Sequence, residues 1–359
     1  PLDFLKQNQH VMKQSSYIDF KGMPQTIFHE PFQDPDIELI PTYHVTPTDL
    51  IKFLSEELLE DITPLVEEMF FREGDVERVD DVLEIPKIYY TKSGYYEDVS
   101  DLNGIALPAL YYDYIQRDKR EGEESIKSLI RHSIVEMRDN EHEYLRSMVD
   151  AIPESCETPS DYLYLANVYI AIQEKLYFKL KQISQNEYIW LNEEIMDICR
   201  ERFDNYLGYE FEEVEKTHPE IEKLLLHYNQ DDLQLPIERA LFPFFGNTMK
   251  FRFCARMDLL TDACIYELKC TSAVTLDHKL QVILYAWIWR TLYPSSPRSV
   301  KIYNVKTNEK WVLHTNQYDL DYVVVALLKN KYEKHPKLEI EGFVEKCQGI
   351  LSETGREVG

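Results

Sequence analysis

Between Lys250 and Trp289 the hydrophobic positions change period. Phe251, Phe253, Ala255 and Met257 alternate with polar or charged neighbours, the period of two that predicts a strand. A short run ending Glu267-Leu268-Lys269 predicts a second strand, and Thr261-Asp262 between them predicts a tight turn, so the two form a hairpin. From about Leu276 to Trp289 the pattern predicts a helix of about four turns, with Leu280, Ile283, Leu284 and Trp287 to be buried. His278, Gln281, Tyr285 and Trp289 run along another side.

The rest of the chain follows the same logic. Residues 1–43 are polar and proline-punctuated and read as an extended leader. Thr46-Pro47-Thr48-Asp49 predicts a helix start, with Thr46 as cap and Pro47 in the first turn. Ile51, Phe53, Leu54 and Leu58 are its expected apolar face, and a second helix is expected over Ile62–Phe71. Residues 75–95 predict a small extended element turning at Ser93-Gly94. Helices are expected from Leu102 to Val149, broken at Gly104–Pro108 and Arg120–Glu123, then over Asp161–Ile183 and Leu191–Leu207, with a loop at Pro153–Ser160. The stretch ending at His227 reads as a short apolar helix. Val300–Val305 and Lys310–His314 pair as strands around Thr307-Asn308, and a last helix spans Gln317–Tyr332.

The hairpin brings chemistry with it. Strand residues two apart share a face, so Glu267 and Lys269 point together while Leu268 points into the core. Asp258 lies near the end of the neighbouring strand. Two carboxylates and an ammonium in one small volume suit a hard divalent cation, Mg²⁺ or Mn²⁺, with phosphate oxygens filling the open positions. Each feature alone also fits a plain surface ion pair. The order Asp, E-x-K, Q-x-x-x-Y on strand, strand and helix carries the specificity.

Asp258, Glu267-x-Lys269 and Gln281-x-x-x-Tyr285 resemble the motifs of the PD-(D/E)XK nuclease superfamily, and within it the RecB-like branch. The resemblance covers about Leu233 to His314, with Ile237-Glu238 similar to the branch's first core strand. It implies an α/β, restriction-endonuclease-like core, a mixed sheet flanked by helices. Asp258 and Glu267 would bind metal with the Leu268 carbonyl as a further oxygen, Lys269 would be catalytic, and Gln281 and Tyr285 would contact substrate. A preceding helix often supplies a further ligand in this superfamily, and Glu193, Glu194, Glu201, His218 and His227 are the candidates. Some RecB-like nucleases hold an iron–sulfur cluster through flanking cysteines. Here only Cys347 follows the Q-x-x-x-Y helix, so no cluster is expected. Val99-Ser100-Asp101-Leu102-Asn103 and the helices after it look like the region joining a helicase to a RecB-like nuclease in some large viral proteins. No Walker-type phosphate loop is present, so a helicase would be a partner.

Composition sharpens the picture. The 359 residues are 44% hydrophobic and 13% aromatic, as a well-cored globular chain requires. No apolar run approaches a membrane span, and no signal-peptide pattern follows Pro1, a start that reads as a fragment or processed chain. The six cysteines lack CxxC spacing and are expected as free thiols in a reducing, intracellular compartment, whether nuclear, cytoplasmic or viral. Net charge is −25, yet 236–315 holds eleven basic and six acidic residues, which fits a locally basic phosphate-binding groove.

The expected organisation is a leader over 1–43, a mainly helical accessory region over 44–185, the nuclease core over 186–335 and a tail over 336–359. The expected activity is metal-dependent hydrolysis of DNA, single- or double-stranded, in repair or recombination. The alternatives are a catalytically silent nucleic-acid-binding or docking module of a helicase–nuclease complex, and an RNA endonuclease on the same fold.

Overall fold

The computed structural model describes residues 40–73, 82–116, 126–136, 142–174, 177–208, 220–228 and 230–333. The expected tail, nearly all of the leader and the Arg120–Glu123 break lie outside them. Strand β1 (Thr42–Val45) is followed by helices α1 (Pro47–Leu50) and α2 (Glu56–Met69), then β2 (Phe70–Glu73) and the hairpin β3 (Ile88–Tyr90) and β4 (Tyr96–Asp98). Helices α3 (Ser100–Gln116), α4 (Ile126–Glu136), α5 (His142–Asp150), α6 (Pro159–Glu174), α7 (Phe178–Gln182) and α8 (Glu193–Phe203) come next, with a π-helical turn at Asp204–Gly208. The remainder is β5 (Glu220–Leu226), α9 (Asp231–Phe245), β6 (Lys250–Phe253), β7 (Ala255–Leu260), β8 (Cys264–Lys269), α10 (Leu276–Leu292), β9 (Ser299–Asn304), β10 (Glu309–Leu313) and α11 (Gln317–Tyr332).

A mixed six-stranded sheet, in the order β2-β10-β9-β8-β7-β5, is the centre of the molecule. Its only parallel pair among the described residues is β8 with β9. Strand alternation divides the side chains between two cores. Cys264, Tyr266 and Leu268 of β8 face the layer of α3, α4, α5, α6 and α8. Ile265 of β8, with Val300 and Ile302 of β9, faces α2, α9, α10 and α11. Helices on both faces make this an α/β fold of three layers.

Several elements follow the expectation closely. Thr46 Oγ1 accepts the Asp49 N–H at 3.0 Å, and α11 spans the expected residues. Leu280, Ile283, Leu284 and Trp287 of α10 are buried. The β9–β10 turn places Asn308 at φ 53°, a left-handed position that asparagine tolerates.

Other elements differ, each for a physical reason. The first helix ends after one turn. Ser55 then caps α2 through the Leu58 N–H, so Phe53 lies in the intervening turn at 97% exposure rather than on an apolar face. Helix α3 runs unbroken through Gly104 and Pro108. A proline inside a helix costs roughly 3 kcal/mol, but Leu102, Leu107, Tyr111 and Tyr112 are all buried, each worth about 1.5–3 kcal/mol. Ile237-Glu238 lies on helix α9, not on a strand. Leu233, Ile237, Leu241 and Phe245 recur at the helical spacing of four and pack in one core. The strand expected over 251–257 divides at Cys254. There the Gln234 side chain takes over both backbone groups of Phe253, accepting its N–H at 3.1 Å and donating to its carbonyl at 2.8 Å. Strand β6 pairs with β1 instead, in a separate parallel ribbon.

The segment expected as an accessory region, 44–185, is built into the sheet assembly. Its strand β2 forms one edge, paired antiparallel with β10, and α3 and α6 cover one face.

Candidate active site

The antiparallel ladder between β7 and β8 pairs Leu259 with Tyr266 and Leu260 with Ile265. At the next position the Asp258 side chain takes the place of a ladder acceptor: its Oδ2 accepts the Leu268 N–H at 2.8 Å. The Asp258 carbonyl is satisfied from the helical layer, where the Tyr112 hydroxyl of α3 donates to it at 3.0 Å. Asp258 is thus held at both its backbone and its side chain.

Glu267 and Lys269 share a face of β8, as strand geometry requires. Lys269 Nζ donates to Glu267 Oε1 at 2.5 Å and to Gln281 Oε1 of α10 at 3.1 Å. Gln281 Nε2 donates in turn to the Tyr285 hydroxyl at 2.8 Å. One continuous chain of hydrogen bonds therefore joins E-x-K to Q-x-x-x-Y. Glu267 is 2% exposed, and its Oε2 is buried with no partner. The Lys269 side chain keeps 18% exposure, while its ammonium is held between Glu267 and Gln281. Tyr285 is buried and Gln281 half-buried. This favours a positioning role for the tyrosine over direct substrate contact. His278 belongs to the helix start: its Nδ1 accepts the Thr275 N–H at 3.1 Å, and burial and the Lys269 charge lower its pKa to about 4.

A third carboxylate joins the site. Residues 220, 221, 223 and 224 of β5 pair with 260, 259, 257 and 256 of β7, a register that sets Glu222 against Asp258. Glu222 is 7% exposed, and Tyr169 of α6 donates to its Oε2 at 3.1 Å. Its backbone lies at φ 45°, in the left-handed region, which costs a β-strand glutamate roughly 1–3 kcal/mol. Burial, then the charge of Glu267, push its pKa up to about 7 against the opposing pull of Arg256 and Tyr169.

The three acids act on one another. Burial, Glu267 and Glu222 hold Asp258 well above the usual carboxylate range, although Lys269 and the Leu268 N–H pull it down. Burial alone would lower the Lys269 ammonium, but Glu267 and Asp258 outweigh it, and the pKa is raised. If all three ionised, they would outnumber the two cations that act on them, Lys269 and Arg256, and the raised pKa values of Asp258 and Glu222 express that crowding.

Among the described residues, no group of three or more His, Cys, Asp or Glu side chains is arranged to hold a metal ion by itself. Mg²⁺ does not require one. It is commonly held by one or two carboxylates while retaining waters and taking substrate phosphate oxygens. Asp258 and Glu267 supply that donor set. The partnerless Glu267 Oε2 and the crowding of the carboxylates are what a hard cation would satisfy. An N–H and C=O of one strand residue point to the same edge, which directs the Leu268 carbonyl toward the Asp258 side.

The further ligands expected from sequence lie elsewhere. Glu193, Glu194 and Glu201 are exposed on α8. His218 lies outside the described residues. His227 follows β5, not a helix, just past the end where Leu226 pairs with Ala255, whereas the register sets Glu222 against Asp258, three residues further along β7.

The excess basic charge of 236–315 is largely engaged inside the fold. Lys279 is buried against Glu67 and the Trp311 ring. Arg252 pairs with Asp231 and Glu238, Arg298 with Asp262, while Arg290 and Lys306 donate to backbone carbonyls. The five described cysteines are free thiols. Among the described residues no helix is long and apolar enough to cross a membrane. No protein-family model matches the chain, and no curated protein matches it either.

Proposed function

We propose that the protein is a divalent-metal-dependent nuclease that hydrolyses DNA phosphodiester bonds on a restriction-endonuclease-like core resembling the PD-(D/E)XK superfamily, RecB-like branch. The observation that carries this reading is the hydrogen-bonded convergence of Glu267, Lys269, Gln281 and Tyr285 beside the anchored Asp258.

In this reading Asp258 and Glu267 hold Mg²⁺ or Mn²⁺, with the Leu268 carbonyl available as a further oxygen. An ion held there would supply a water of lowered pKa and neutralise charge at the phosphoryl group. Lys269, fixed by Glu267 and Gln281, presents its ammonium to the phosphate oxygen where negative charge builds. A preorganised donor of this kind is worth roughly 10²–10³ in rate. Tyr285 holds the Gln281 amide in the orientation that offers its oxygen to Lys269. Glu222 adds negative charge opposite Asp258 and strengthens the demand for a cation.

The test is to incubate the full chain with end-labelled single-stranded, duplex and circular DNA, and with RNA, with Mg²⁺, with Mn²⁺ and with excess EDTA. Metal-dependent cleavage of DNA that Lys269→Ala slows on the order of 10²-fold or more supports the reading; cleavage in EDTA at the full rate refutes it. The engagement of the basic residues within the fold favours one other reading, a catalytically silent docking module. That reading predicts no cleavage under any of these conditions.

A further inference from the structure

A cavity of about 120 Å³ lies beyond the carboxyl end of β8. Thr271 and Ser272, just past β8, form one wall and Lys306, just past β9, another. These are the carboxyl ends of the sheet's parallel pair, the place where open α/β sheets characteristically receive ligands. Lys87 and the first turn of α3, with Ser100 and Asn103, close it.

Its lining is unlike the chain as a whole. The sequence carries 64 acidic and 39 basic residues, yet the lining holds two lysines, three hydroxyls and an amide, and no carboxylate. We propose that this cavity binds a phosphate monoester, taking the dianionic terminal phosphate between Lys306 and Lys87.

The donors are specific. Lys306 Nζ gives one hydrogen to the Ile85 carbonyl at 2.9 Å, which fixes the ammonium in the wall. An ammonium has three donors, so two remain for a ligand. The Lys87 ammonium, on a side chain 69% exposed, stands at the mouth, 3.9 Å from Asp98. That separation is loose enough for a dianion to compete for the lysine. Asn103 is committed elsewhere, donating to the Pro86 carbonyl and accepting from Trp190, and the Thr271 and Ser100 hydroxyls donate to Ala273 and Asp98. Ser272 is exposed at the rim. The volume is several times the roughly 10–15 Å³ that one water requires, room for a tetrahedral anion. A phosphate monoester has two sources, a free small molecule or the end of a nucleic-acid strand. The site does not depend on the nuclease reading.

The experiment titrates the full chain with inorganic phosphate at constant ionic strength, by calorimetry. A nucleoside 5′-monophosphate, the matching nucleoside and a 5′-phosphorylated oligonucleotide then serve as competitors. Saturable phosphate binding, competed by the monophosphate and not by the nucleoside, is expected. Ser272→Glu, which sets a like charge at the exposed rim, and Lys306→Met, which removes a charge-assisted contact, should each weaken it on the order of ten-fold or more. An oligonucleotide that competes better than the mononucleotide assigns the source to a strand end; equal competition assigns it to free phosphates. Absence of saturable binding to the wild type, or wild-type affinity in Ser272→Glu, overturns the proposal.

Discussion

Glu222→Gln tests the electrostatics of the site without reference to catalysis. The ordinary glutamate pKa of 4.5 rises to about 7 in the fold, with burial as the first cause. The folded chain thus binds this proton more tightly than the unfolded chain, and ionising it opposes folding. Stability falls as pH rises from about 4.5, and the whole penalty is present above about 7. At about 1.4 kcal/mol per pKa unit, a shift of this size corresponds to about 3 kcal/mol. Solvent screening gives little relief, because the residue is 7% exposed. Glutamine keeps the shape and an oxygen to accept the Tyr169 hydroxyl, and it carries no charge. With divalent cations removed by chelation, Glu222→Gln should unfold at higher urea than wild type at pH 8, by up to about 3 kcal/mol. At pH 5, where the wild-type proton is retained, the two should nearly coincide. Urea denaturation at pH 5, 6.5 and 8 reads the difference. A mutational effect that is the same at all three pH values, or a mutant less stable than wild type at pH 8, refutes the reasoning.

Further measurements address the neighbouring groups. Lys269→Ala should lower turnover on the order of 10²-fold or more with little change in substrate affinity, measured as cleavage and binding on one labelled substrate in Mg²⁺. Mg²⁺ should raise the melting temperature of the wild type more at pH 8 than at pH 5, because Asp258, held above its ordinary range, must lose its proton before it can bind; Asp258→Asn should remove that rise. Tyr112→Phe should cost about 1–3 kcal/mol in urea denaturation, because it leaves the Asp258 carbonyl without its donor.

What the sequence made legible is local. The period-two run into Glu267-Leu268-Lys269 puts the glutamate and lysine on one face, and the i, i+4 spacing puts Gln281 beside Tyr285. The structure finds both pairs hydrogen-bonded. Glu222 escaped for equally local reasons. Glu220 and Lys223 stand three apart, as a helical ion pair does, and Leu224-Leu225-Leu226 suits a helix as well as a strand. The segment is a strand because β7 pairs with it, and its partners lie 29 to 40 residues further along. In a regular strand residues three apart face opposite ways. Glu220 and Lys223 nevertheless form an ion pair, across the left-handed turn of backbone at Glu222. The distortion at Glu222 thus lets a helix-like spacing form its ion pair within a strand. The one sequence-level signal of Glu222 was a second acidic strand residue ahead of Asp258, which becomes informative only once the register is known.

The same reasoning changes the place of the helical layer. Sequence separates it from the motifs by about a hundred residues and invites its description as an accessory. In the fold, Tyr112 of α3 supplies the donor that lets β7 leave its ladder with β8 at Asp258. Tyr169 of α6 supplies the one that steadies the strained Glu222. Buried phenols are well matched to both positions. Burial pushes each far above the ordinary tyrosine range, which keeps them neutral donors beside three carboxylates. A donor that could ionise would add a further negative charge beside carboxylates whose own ionisation is already opposed. The clustering of Glu222, Asp258 and Glu267 is therefore a property of the sheet and the helices behind it together, and a fragment starting at residue 186 would lack both tyrosines and the edge strand β2.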